Sequence, residues 1–185
     1  MIEDALLGAE DGMEKAVAAT RREFGNIRTG RANPDTFNSL LVDYYGAPTP
    51  LQQLASLQIP EARMVLISPY DRSAVQAIIH SIQEANLGIN PTDDGNVIRC
   101  TLPALTEERR KEYVKQARQR AEEGRISIRN ERRKAKEELD RIKKDGEAGE
   151  DEVERAEKEL ESLTKSYVEK IDRELASKEK DLLTV

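Results

Sequence analysis

The chain has 185 residues, of which 37% are hydrophobic and 36% charged, with two Phe, five Tyr and no Trp. So little apolar and so much charged side chain excludes a single thick core and favours long, thin helices. The lone cysteine, Cys100, excludes an intramolecular disulfide and a cysteine-based zinc site. No stretch approaches the roughly 18 apolar residues of a membrane span. Glu3, Asp4, Glu10 and Asp11 interrupt the opening turns, where a signal peptide would be apolar. These features predict a soluble, cytoplasmic protein with no membrane attachment.

The net charge of −6 is unevenly spread: −5 over residues 1–105, +6 over 106–144 and −7 over 145–185. An acidic chain with one basic segment is no general polyanion binder. It can set a local basic stripe against phosphate while repelling nucleic acid elsewhere.

In chain order, Ile2, Leu6, Ala9, Met13, Ala16, Thr20, Phe24 and Ile27 step by three and four, which predicts a helix over about 2–28. Thr29-Gly30-Arg31-Ala32-Asn33-Pro34 then breaks it, since Pro34 drives Asn33 out of helical conformation. Residues 40–45 read as a strand ended by Gly46, Pro48 and Pro50, and 54–59 and 64–67 as two more, with a turn at Pro60-Glu61-Ala62. Asp71 reads as the N-cap of a helix with an apolar face of Ala74, Val75, Ile78, Ile79 and Ile82, stopped at Gly88. Asn90-Pro91-Thr92-Asp93-Asp94-Gly95 reads as turn chemistry, and 97–102 as a strand. A second long helix starts at the N-cap Thr106 and carries a heptad of Val114, Ala121, Ile128, Ala135 and Ile142. Its span of about 38 residues gives a rod of roughly 57 Å. After a turn at 145–150, a third helix places Val153, Ala156, Leu160, Leu163, Tyr167, Ile171, Leu175 and Leu182 on one stripe.

The predicted fold class is α+β. Residues 1–30 and 105–185 form a long antiparallel three-helix bundle, and 31–104 an inserted small, mostly β domain. The two connections contain Gly30, Pro34 and Pro103 and end at Thr106, and these four are the candidate hinge.

Catalytic and metal-ligating candidates are absent. His80, the only histidine, sits beside Ile78, Ile79 and Ile82 and reads as structural. Cys100 reads as a small buried hydrophobe. No glycine-rich phosphate loop occurs. No enzyme activity, metal or cofactor is therefore expected. Lys111, Lys115, Arg118, Arg125, Arg129, Arg132 and Lys136 recur at three and four along one flank of the second long helix. Such a flank is either a solvated, salt-bridged face or a phosphate contact. Arginine dominates around 125–133 and acids are sparse there in sequence, which favours phosphate, since arginine donates two parallel hydrogen bonds to it. Of Tyr44 and Tyr45, alternating in a strand, one faces the core and the other is placed to stack on a base.

Five blocks then resemble ribosome recycling factors in order and spacing. They are Arg28-Thr29-Gly30-Arg31-Ala32-Asn33-Pro34; Tyr44-Tyr45-Gly46 with Thr49-Pro50-Leu51 and Gln53-Leu54-Ala55; Leu87-Gly88-Ile89-Asn90-Pro91; Pro103-Ala104-Leu105-Thr106-Glu107-Glu108-Arg109-Arg110; and Ile128-Arg129-Asn130-Glu131-Arg132-Arg133. The resemblance implies an L-shaped two-domain monomer of transfer-RNA dimensions. It implies that the helical domain binds the large ribosomal subunit, with Arg28, Arg31, Arg110, Arg129, Arg132 and Arg133 on ribosomal RNA. It also implies joint action with elongation factor G and its GTP to split post-termination ribosomes. The competing class is a coiled-coil scaffold or chaperone, which would need an oligomerisation seam or exposed apolar tips. Glu131 departs from the family pattern, which usually has an apolar residue there. On the core side of the heptad its charge is costly unless it reaches water or a base.

Overall fold

The computed structural model describes residues 1–184. The chain divides into two compact units, one of Met1–Arg28 with Arg110–Leu183 and one of Thr29–Arg109.

The first unit is three helices: α1 (Ile2–Gly25), α5 (Glu107–Lys144, whose first turn belongs to the other unit) and α6 (Glu150–Thr184). The predicted stripes are buried along most of their length, with Ile2, Leu6, Ala16, Val114, Leu163 and Leu175 only half-buried, and Val17 and Leu139 join the core from beside them. Met13, Val17 and Phe24 of α1, Ile128, Leu139 and Ile142 of α5, and Leu160, Tyr167 and Ile171 of α6 are all buried. Helix α1 stops at Gly25 rather than at 28, yet Ile27 remains buried beyond it. The Thr106 hydroxyl accepts from the Arg109 N–H at 3.2 Å, an N-cap at the predicted position. Helix α5 ends in a Schellman motif. Gly146, at φ 66°, donates to the Lys143 carbonyl, and Glu147 donates to that of Ile142. Two buried polar side chains, Thr20 and Thr164, each donate to the carbonyl four residues back, at 2.9 and 2.7 Å.

One packing feature lies outside the predicted stripes. Gly124 of α5 is buried, and a Cβ built there would fall on the Thr20 hydroxyl of α1 and within 2.8 Å of Ile171 Cδ1 of α6. The glycine lets the three helices meet side by side. Glu131 has a related explanation. Its carboxyl end lies over Gly12 of α1, where a Cβ would stand 2.5 Å from Glu131 Oε2. The side chain is 27% exposed and pairs with Lys134 at 3.1 Å, so it reaches both water and a base.

The second unit is built on a four-stranded antiparallel sheet of order β3-β4-β6-β5. Its strands are β3 (Ala55–Glu61), β4 (Met64–Pro69), β5 (Asn90–Asp93) and β6 (Ile98–Thr101). Val65 and Ile67 of β4 and Ile98 and Cys100 of β6 point into the core with the period of two that a half-buried sheet requires. Helix α4 (Val75–Glu84) buries Ile78 and Ile82 in the same core. A hairpin, β1 (Leu41–Tyr44) with β2 (Ala47–Pro50), and the short helices α2 (Pro34–Asn38) and α3 (Leu51–Leu54) add Val42, Phe37 and Leu51 to that core.

Several expectations for this unit change. Asn33-Pro34, expected only as a break, also starts α2: the Asn33 side chain accepts from the Asp35 N–H at 3.0 Å, and Pro34 fills the first turn. Pro48 and Pro50 do not end a strand but sit within β2. Residues 90–93, expected as a turn, are the edge strand β5. Pro91 is tolerated there because an edge leaves one row of N–H groups unused. Pro60 likewise lies in the other edge strand, at an irregularity in the β3–β4 register. Helix α4 stops at Glu84, four residues before Gly88, and Asn86 takes the left-handed position at φ 56°.

Candidate nucleic-acid interface

Four arginines of α5 occupy four different environments. Arg125 is 19% exposed and has both edges of its guanidinium taken. Its Nε and Nη2 meet Asp172 Oδ1 at 2.8 and 2.7 Å, and its Nη1 meets Glu122 Oε2 at 3.0 Å. Arg132 has one edge taken, Nε and Nη2 both donating to Glu161 Oε1 at 2.8 and 2.7 Å. Arg129 makes one contact, Nη1 to Glu122 Oε1 at 3.3 Å. Arg133 is exposed and has no ion-pair partner among the described residues. Glu122 is held below the usual carboxylate range, first by the hydrogen bond from Arg125, against an opposing effect of burial, with Arg129 adding to the lowering.

The expectation that acids are sparse along this flank fails in three dimensions. Helix α6 supplies them. Arg118 pairs with Glu179, Arg125 with Asp172, Arg132 with Glu161 and Lys136 with Glu157, at 2.6–3.1 Å. Much of the predicted stripe is therefore an interhelical ladder, and the salt-bridged reading is correct for those four residues. What stays open to solvent is Lys115 and, around 129–133, a narrower group: Arg133, Arg129 one turn before it on the same face, and the unpaired edge of Arg132. Ile126, 48% exposed, lies one turn before Arg129.

Arg110 is half-buried in the first turns of α5, about five turns before Arg129. Arg28 and Arg31 are exposed and lie outside the helix. The structure thus brings Arg129, Arg132 and Arg133 together, with Arg110 distant along the same helix and Arg28 beyond the end of α1, while Arg31 belongs to the other unit. Of the hinge candidates, Gly30 has φ 74°, a value open to glycine. Pro34 is the first residue of α2 and so part of the small unit's own structure. Pro103 is exposed, one residue after Leu102, whose N–H donates to the Arg63 carbonyl at 2.7 Å. Ala32 on the other link donates to the Ala62 carbonyl, also at 2.7 Å, so both links are tied to the β3–β4 turn.

The residues set aside as structural are placed as follows. Cys100 is buried, and burial pushes its thiol up to about 11. His80 does not edge the core as expected; it is 71% exposed and meets Glu84 at 3.0 Å, one turn along α4. Among the described residues no cluster of His, Cys, Asp and Glu is placed to hold a metal, and no helix is long and apolar enough to cross a membrane. The acids of the ladder are what sequence reading missed. Their signal was present in the spacing of Glu157, Glu161, Asp172 and Glu179 along one flank of α6.

Fold and surface define a class of helix-dominated α+β proteins, with a three-helix unit interrupted by a small antiparallel-sheet unit and a cationic patch on the middle helix. The family model for ribosome recycling factor matches residues 20–183. The ribosome-recycling factors of Kineococcus radiotolerans and Beutenbergia cavernae are each 63% identical over 185 residues, covering 100% of both chains. A solution structure of a ribosome recycling factor superimposes with a TM-score of 0.76 at 40% identity, over 100% of this chain and 98% of that one. A second structure matches with a TM-score of 0.66 at 37% identity over 99% of each chain. It places the T. thermophilus ribosome recycling factor and the E. coli elongation factor G on the E. coli post-termination complex. The chain belongs to the ribosome recycling factor family.

Proposed function

We propose that this protein acts in the cytoplasm, as a monomer, to dissociate post-termination ribosomal complexes together with elongation factor G, freeing the subunits for a new round of translation. The helical unit binds large-subunit ribosomal RNA through phosphate contacts of Arg28, Arg31, Arg110, Arg129, Arg132 and Arg133. Elongation factor G supplies GTP hydrolysis, and this chain contributes no catalytic group. The observation that carries the reading is the open guanidinium surface of Arg129 and Arg133 on α5, in a chain whose relative at 37% identity is placed with elongation factor G on a post-termination complex.

The geometry divides the labour among the arginines. A guanidinium with a free edge can accept a phosphate in a two-bond contact without losing an existing partner. Arg133 meets that condition fully and Arg132 on one edge, whereas Arg125 has none left. Binding holds the helical unit on the RNA, and movement of the small unit about residues 28–31 and 103–106 supplies the disruption. Two short links with few other constraints make such motion the default.

Co-sedimentation with large subunits across a salt series tests the binding step. Arg133→Ala is expected to weaken binding roughly tenfold and lower the slope of log affinity against log salt by about 1, with the melting temperature unchanged. Arg125→Ala is expected to do the reverse. It strands Asp172 and costs about 1 kcal/mol, or roughly 3 °C, while changing the salt slope little. If Arg133→Ala leaves affinity and slope untouched, the patch is not the RNA contact.

A further inference from the structure

Glu122 shares the face of α5 that carries Ile126, Arg129 and Arg133, at helical steps of four, three and four. An acid there opposes the approach of phosphate. Its two oxygens are divided between two arginines. Oε2 accepts from Arg125 Nη1 at 3.0 Å, and Oε1 accepts from Arg129 Nη1 at 3.3 Å. Arg125 is itself pinned to α6, its Nε and Nη2 meeting Asp172 Oδ1 at 2.8 and 2.7 Å, and it is mostly buried. A chain of contacts thus runs from α6 through Arg125 and Glu122 to Arg129.

The contact on Arg129 spares the more useful edge of its guanidinium. Engaging Nη1 alone leaves Nε and Nη2, whose N–H bonds run parallel and match two oxygens of one phosphate. A long, exposed side chain loses rotamer freedom when it binds a phosphate, and holding it beforehand removes part of that cost. Neither folding nor charge otherwise explains the acid. An exposed ion pair adds little to stability. Glu122 also stays ionised, held below the usual carboxylate range first by the hydrogen bond from Arg125, so its charge repels phosphate. We propose that Glu122 is a positioning residue for the RNA contact: anchored through Arg125 to α6, it fixes the Arg129 side chain and leaves the Nε–Nη2 edge for a phosphate. The proposal rests on the reading that this face binds ribosomal RNA.

Glu122→Ala and Arg129→Ala, alone and together, test it by co-sedimentation with isolated large subunits. Arg129→Ala is expected to weaken binding roughly tenfold. Glu122→Ala is expected to weaken it about fivefold, although it removes a negative charge, and to leave the melting temperature unchanged. Added to Arg129→Ala, it is expected to weaken binding no further, because no guanidinium remains for it to orient. In the free protein, nuclear magnetic relaxation of the Arg129 Nε–H is expected to show restricted motion that Glu122→Ala releases. Unchanged or tighter binding by Glu122→Ala would make the acid a bystander or a competitor of phosphate. An equal loss in both backgrounds would make it structural. Either result overturns the proposal, as does an Arg129 side chain that is equally mobile with and without Glu122. If Arg129→Ala alone leaves binding untouched, the RNA contact is misplaced and the proposal falls with it. A loss with Arg129→Ala but none with Glu122→Ala removes the proposal and leaves the contact standing.

Discussion

Gly124→Val is expected to destabilise the helical unit by about 3 kcal/mol, lowering its melting temperature by roughly 10 °C. Two effects oppose each other at this position. Replacing glycine inside a helix ordinarily gains up to about 1 kcal/mol from reduced chain entropy. Here a Cβ meets the Thr20 hydroxyl and Ile171 Cδ1, and Thr20 is tethered to the Ala16 carbonyl at 2.9 Å. Overpacking between three helices is the larger effect. Gly124→Ala is expected to show a smaller loss of the same sign, and adding Thr20→Ala should recover most of it, since the deleted hydroxyl is the closer obstacle. Gly12→Ala is the contrast. The atom in its way is the flexible end of Glu131, which is partly exposed and can swing into water, so stability should change by less than about 0.5 kcal/mol. Thermal unfolding followed by helical circular dichroism reads all four variants. A Gly124→Ala protein as stable as the parent would mean that the helices do not approach as closely as described.

Restricting the small unit is expected to separate ribosome binding from ribosome splitting. With cysteines placed at Gly25, after which α1 ends, and at Ala62, in the β3–β4 turn, bismaleimides of increasing length serve as progressively looser tethers. Cys100 will not compete, because it is buried and its thiol is pushed up to about 11. Short linkers are expected to leave binding to large subunits intact and to abolish splitting with elongation factor G and GTP. Long linkers are expected to restore it. Splitting at the normal rate with the shortest linker would show that the factor acts as a rigid wedge.

The long helices were legible because their information is local and repeated. A three-and-four stripe, the Thr106 cap and the Gly146 stop together define α5 to within a residue. The small unit was less legible because its elements are four to ten residues long and several contradict their local chemistry. Asn90-Pro91 reads as a turn until an edge position in the sheet makes the proline harmless. The site was legible by residue type but not by partner. Nothing near Arg132 in sequence announces Glu161, twenty-nine residues on, and only antiparallel packing of α5 on α6 joins them. Glu131 was legible as an anomaly, and its remedy lay in Gly12 on a different helix.

The ladder between α5 and α6 also acts as an alignment key. Several core positions that these helices share are alanines, among them Ala117, Ala121, Ala135 and Ala156. Side chains this small leave few knobs to resist sliding of one helix along the other. The charges resist it instead. From Arg118–Glu179 to Arg125–Asp172 the ladder moves seven residues up one helix and seven down the other. A slip of one heptad in one direction would set Lys165 against Arg125, while Arg118, Arg132 and Lys136 would meet Asp172, Glu154 and Glu150. In the other direction Arg125 would meet Glu179, but Arg132 would face Val168 and Lys136 would face Thr164. Each exposed pair adds only about 0–1 kcal/mol to stability. As a set they favour the observed alignment, in which all four cations are paired, over either heptad slip, so pairs that contribute little to how firmly the bundle folds help to select its register.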